Sequence, residues 1–88
     1  MKVINKINSA LEIPKEVYTN QPKLILTGFN ELQVENYKGI LEYEDYYIKL
    51  ETYIGIINIH GTGLRLDSMT EDNLKVRGKI ETIDIKKT

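Results

Sequence analysis

The sequence predicts a mostly β fold: an antiparallel meander curled into a small roll or two-layer sandwich, preceded by one short amphipathic helix. Three observations carry this. From Lys23 onward, apolar side chains recur at every second residue, the spacing of strands with one buried face. The apolar runs are separated at residues 28–30, 36–37, 44–45, 52–55, 61–62 and 68–72, each of which contains a turn-forming Gly, Asn, Asp or Ser. Ahead of Pro14 the spacing is helical instead.

Val3, Ile4, Ile7 and Leu11 share one stripe of a helix over residues 3–13, with Lys2, Lys6 and Glu12 off it. Pro14 disfavours helical backbone at Ile13 and so ends the segment. The stripe either covers the sheet or docks on a partner, and two lysines are too few to favour a membrane surface. Residues 14–22 are a connector and residues 23–86 the β region, within a single domain of residues 1–88.

Each strand pair can be given a register that keeps the apolar set on one face. A loop over residues 28–30 sets Leu26 opposite Leu32, with Asn30 tolerating a left-handed backbone. A turn at Asn36 and Tyr37 sets Glu35 opposite Lys38 and Leu32 opposite Leu41. A turn at Glu44 and Asp45 sets Tyr43 opposite Tyr46, Leu41 opposite Ile48 and Gly39 opposite Leu50. A loop over 52–55 then sets Leu50 opposite Ile57 and Ile48 opposite Ile59. Gly61 and Thr62, with glycine first as a type II′ turn requires, set Ile59 opposite Leu64 and Ile57 opposite Leu66. A loop over 68–72 sets Leu66 opposite Leu74 and Leu64 opposite Val76.

A one-residue slip would invert any of these faces, so their agreement is informative. Near the end the phase changes: Leu74, Val76 and Ile80 share one parity, Ile83 and Ile85 the other. A bulge or corner around residues 78–82 accounts for that. Strands with one apolar face must then roll up, stack in two layers or take a helical cover.

A chain of 88 residues buries only about 60–65% of its unfolded surface, so the core is thin. It contains no cysteine, so no disulfide or zinc-thiolate site supports it. Twelve basic against 13 acidic residues argue against general nucleic-acid binding, which needs a basic surface. No apolar run approaches a membrane span, and Asn5, Lys6, Asn8 and Ser9 interrupt any signal-peptide core. The expectation is a cytoplasmic protein.

The search for chemistry yields little. His60 is the single histidine, and Gly61 and Gly63 beside it lack the third glycine and following helix of a dinucleotide loop. A metal site would have to rest on His60 and carboxylates alone, and Glu42, Glu44 and Asp45 lack calcium-loop spacing. Ser9 and Ser68 lack the context of an activated nucleophile. We therefore expect no catalytic residue, no cofactor and no metal. The competing expectation is a small ligand- or ion-binding β-roll, with His60 and two carboxylates at the bottom of a pocket.

Six tyrosines against one phenylalanine suit half-buried positions, where the ring packs and the hydroxyl stays wet. Cross-strand packing accounts for many of them. A protein interface is the functional alternative, because tyrosine is enriched at interface cores. The candidates are Tyr37, Tyr47 and Tyr53, joined by Ile54 and by Ile40 and Ile56, which fall on the otherwise polar face of the predicted strands.

Four stretches resemble the YabP/YqfC family of sporulation proteins, and most nearly its YqfC branch. They are LEIPKEV at 11–17, PKLILTGFNELQVENYKGILEY at 22–43, IINIHGTGL at 56–64 and VRGKIETIDI at 76–85. ETYIG at 51–55 and the N-terminal helix face depart from the family pattern. The resemblance implies a non-enzymatic protein of endospore-forming Firmicutes, acting in the mother cell through protein–protein contacts. It implies as partner a YqfD-like membrane-anchored sporulation protein, encoded alongside, that would hold this chain peripherally at a membrane. Self-association is a further expectation. The family carries no catalytic residues to transfer.

Overall fold

The computed structural model describes residues 21–88, so the predicted helix over 3–13 and most of the connector lie outside the described residues. Those residues form one antiparallel six-stranded sheet. Its strands are β1 (Lys23–Thr27), β2 (Glu31–Glu35), β3 (Tyr37–Glu44), β4 (Tyr47–Thr52), β5 (Gly55–Met69) and β6 (Asn73–Lys87). The spatial order is β1-β2-β6-β5-β4-β3, so the sheet is open, with β1 and β3 as its two edges.

The centre of the sheet is one long hairpin of two 15-residue strands, β5 and β6. The β3–β4 hairpin joins the first half of β5, and the β1–β2 hairpin joins the first half of β6. Between the two halves the ladder is interrupted: registers shift between His60 and Gly61 and again between Thr62 and Arg65. Gly78 sits at that interruption with φ 137°, and a side chain there would press on the Gly63 carbonyl at 2.5 Å. Only glycine allows the strands to approach so closely in that conformation.

The two hairpin tips hold the interruption. Leu64 N–H donates to the Asp45 carbonyl at 2.7 Å and Gly61 N–H to Tyr46 at 3.1 Å. Across the sheet, Ile80 N–H donates to Phe29 at 2.8 Å and Gly78 N–H to Asn30 at 3.2 Å. The bend brings the inner faces of both halves into one hydrophobic cluster. Leu32, Val34, Ile48, Leu50, Ile59 and Val76 are at its centre, all fully buried. Burying a residue of this size contributes about 1.5–3 kcal/mol, and this one cluster supplies most of what holds a small sheet together.

Several predicted registers match. Leu26 faces Leu32, Leu50 faces Ile57 and Ile48 faces Ile59. The phase change near residue 80 is also present: Ile80 pairs with Gly61 and Thr82 with His60, leaving Glu81 as the extra residue. Ile83 and Ile85 thereby face Ile59 and Ile57.

Other expectations are corrected. The left-handed residue of the first loop is Gly28, φ 60°, and not Asn30. No hairpin forms at Asn36. That residue is left-handed, φ 66°, but its N–H and that of Tyr37 both donate to the Asp72 carbonyl. β2 pairs with β6 instead, because that register joins Leu32 to Val76 and Val34 to Leu74. A β2–β3 hairpin would have offered one apolar pair, Leu32 with Leu41.

No hairpin turn forms at Gly61 and Thr62 either, and β5 continues as one strand past the interruption to Met69. Leu66 meets Val76 and not Leu74. The β3–β4 turn lies one residue later than expected, so Tyr43 faces Ile48. A bulge between Ile40 and Glu42 then places Ile40 opposite Leu50, packed against the core, and leaves Leu41 48% exposed. The expectation that Leu41 is a core residue and Ile40 an outer one is therefore reversed.

Candidate functional site: an apolar edge and a cleft

The two sheet edges are built differently. β3 carries Lys38, Glu42 and Glu44 and two register irregularities against β4. Charges and bulges are the usual means of keeping an edge strand from pairing further. β1, KLILT, has an unbroken register with β2 and a single charge, Lys23. Its inward residues are Leu24, which packs on the core, and Leu26. Its outward residues are Lys23, Ile25 and Thr27, with Ile25 38% exposed, so the strand carries apolar side chains on both faces. Phe29, in the adjoining turn, is 76% exposed while its carbonyl is fixed by Ile80. An edge strand apolar on both sides resembles an internal strand lacking a neighbour.

Beside the start of β1 the inner face opens into a cleft of about 200 Å³. Pro22, Leu24, Ile54, Ile57 and Ile85 supply its apolar wall. Thr52 lies at its base, buried, donating to the Gly55 carbonyl at 2.7 Å and accepting from Ile54 N–H at 3.2 Å. Gln21 and Lys87 complete the lining, and the mainly aliphatic wall suits apolar groups.

The outer face around His60 is polar. Tyr47 Oη donates to Asn58 Oδ1 at 3.0 Å, and its ring centroid lies 4.8 Å from that of His60. His60 Nε2 is 3.7 Å from Asp84 Oδ2, with both side chains about half exposed. Ser68 lies eight residues further along β5, beyond the interruption. No group of three His, Cys, Asp or Glu that could hold a metal occurs among the described residues. His60 thus has one carboxylate neighbour on an open surface, where the ligand-binding alternative called for two in a pocket.

The residues singled out from sequence are dispersed. Tyr37 is 6% exposed and its hydroxyl donates to the Thr70 carbonyl at 2.9 Å. Ile40 is half-buried on the core. Tyr47 and Ile56 are half-buried on the outer face. Tyr53 is exposed at the β4–β5 turn, with Lys38 Nζ 5.6 Å from its ring centroid, and Ile54 turns into the cleft. Sequence reasoning passed over Ile25, Phe29 and Ile85. The signal for Ile25 was present in KLILT, where three consecutive apolar residues break the alternation of a half-buried strand.

The model of the YabP family matches residues 19–88 of the chain. The chain is similar to the uncharacterized protein YqfC of Bacillus subtilis (strain 168), with 23% identity over 77 residues, covering 88% of this chain and 83% of that protein. No solved structure matches it. No helix among the described residues is long and apolar enough to cross a membrane.

Proposed function

The chain belongs to the YabP family, and from that premise we propose that it is a non-enzymatic sporulation protein of the mother-cell cytoplasm that acts by docking on another protein. The partner is the soluble part of a YqfD-like membrane-anchored protein, which holds the chain peripherally at the membrane. The observation that carries the reading is the contrast between the edges: β3 is charged and bulged, whereas β1 presents Ile25, Leu26 and the neighbouring Phe29. An extended segment of the partner adds to β1, with main-chain hydrogen bonds giving affinity and the apolar side chains giving register.

The test is co-purification of the chain with the soluble part of the co-encoded membrane protein. Ile25→Lys should abolish capture and lower the yield of heat-resistant spores while leaving far-UV circular dichroism unchanged. Ile56→Glu, on the outer face, should leave capture intact. Capture that survives Ile25→Lys, or is lost with Ile56→Glu alone, overturns the assignment to β1.

A further inference from the structure

The cleft at Pro22, Leu24, Ile54, Ile57 and Ile85 shares Leu24 with β1 but opens on the inner face and not along that strand's main-chain edge, and it calls for its own occupant. It is continuous with the core, since Ile57 is fully buried and Leu24 packs on the same cluster. Its volume, about 200 Å³, is below the ~300–1,000 Å³ typical of small-molecule pockets. Its wall is mainly aliphatic, with Gln21 and Lys87 as its other polar side chains, and Thr52 is already satisfied, so the cleft suits an apolar occupant better than a polar one. One or two aliphatic side chains from a protein segment fit this description better.

The described chain begins at this cleft. Gln21 and Pro22, its first two residues, line the wall. The sequence ahead of them carries Val3, Ile4, Ile7 and Leu11 at helical spacing. Ten residues lie between Leu11 and Pro22, and the eleven steps from one to the other span about 36 Å if extended, so reach does not prevent a return to the cleft. A segment tethered this closely is present at an effective concentration in the millimolar range, which favours it over any occupant in solution.

We propose that the cleft is the seat of the chain's own N-terminal apolar stripe, with Ile7 or Leu11 inserted against Ile54 and Ile85. The stripe then completes the core at the end of the sheet where Ile85, an inward residue, is otherwise 61% exposed. This inference rests on the fold and stands apart from the proposed docking at β1.

Because the chain has no cysteine, engineered pairs report proximity cleanly. Disulfide formation requires the two Cα atoms to come within about 7 Å. The full chain carrying Ile85→Cys with either Ile7→Cys or Leu11→Cys is oxidised and read on non-reducing gels. At least one pair should form an intramolecular crosslink, about 10-fold in excess of a control pairing the same N-terminal cysteine with His60→Cys, and independent of protein concentration, as a tethered contact requires. No excess over the control overturns the proposal. So do crosslinks found only in dimers, which would assign the cleft to a second copy. Adding Ile25→Lys should leave the crosslink unchanged, so that failure at the cleft and failure at β1 are read separately.

Discussion

Tyr37 Oη donates to the Thr70 carbonyl at 2.9 Å, joining the first residue of β3 to the loop between β5 and β6. The same loop's Asp72 carbonyl accepts from Asn36 and Tyr37 N–H. The chain can therefore leave β2 on one side of the long hairpin and start β3 on the other within a single residue. The crossing sets the strand order, and it depends on a side chain as well as on backbone.

Tyr37→Phe keeps the ring in the core and removes that hydroxyl. A hydrogen bond of this kind contributes about 0.5–1.5 kcal/mol net, so the variant should unfold at lower urea with an unchanged slope. An unaltered midpoint would show that the tie contributes nothing.

Gly78→Ala tests the interruption between the halves of the sheet. A methyl group there would meet the Gly63 carbonyl at a φ that L residues rarely adopt. Strain of this sort costs about 1–3 kcal/mol, with the added overlap pushing toward the upper value. Urea denaturation should show that loss, whereas Gly39→Ala, with nothing near its position, should lose much less.

The bulge in β3 is tested by a pair of truncations. Leu50 is fully buried opposite Ile40, and Leu50→Ala should cost about 2–5 kcal/mol. Leu41, displaced to the surface by the bulge, should tolerate alanine within about 0.5 kcal/mol. Equal losses at the two positions would restore the unbulged register.

The outer-face cluster contributes little to stability. His60 and Asp84 are both about half exposed and 3.7 Å apart; they form an ion pair only when His60 is protonated, and exposed ion pairs are worth about 0.2–1 kcal/mol. Asp84→Asn should therefore shift the thermal midpoint by no more than a few degrees, and by less in high salt.

Much of the fold was legible in the sequence, because burial of one face dictates period-two patterning. The β4–β5 register and the phase change before Ile83 followed from pattern alone. The order of the strands did not. Gly61 reads locally as a turn, but the turn is overridden because Ile57 and Ile59 find Ile85 and Ile83 across a longer hairpin. Asn36 does adopt a turn conformation, yet what it connects is decided by Asp72, 36 residues away. The bulge at Leu41 is likewise a matter of tertiary fit, since LEY and ILE alternate equally well locally. For the candidate site, tyrosine content pointed to an interface in general. It did not show that Tyr37 is spent on the core while KLILT lies on an edge.

Docking by strand addition is tested most directly by hydrogen exchange at single-residue resolution on the chain, with and without the soluble part of the YqfD-like protein. Added main-chain pairing should slow exchange at alternate amides of β1, within residues 23–27, and leave those of β3 unchanged. Complex formation with no slowing in β1, or with slowing confined to β3, would contradict it.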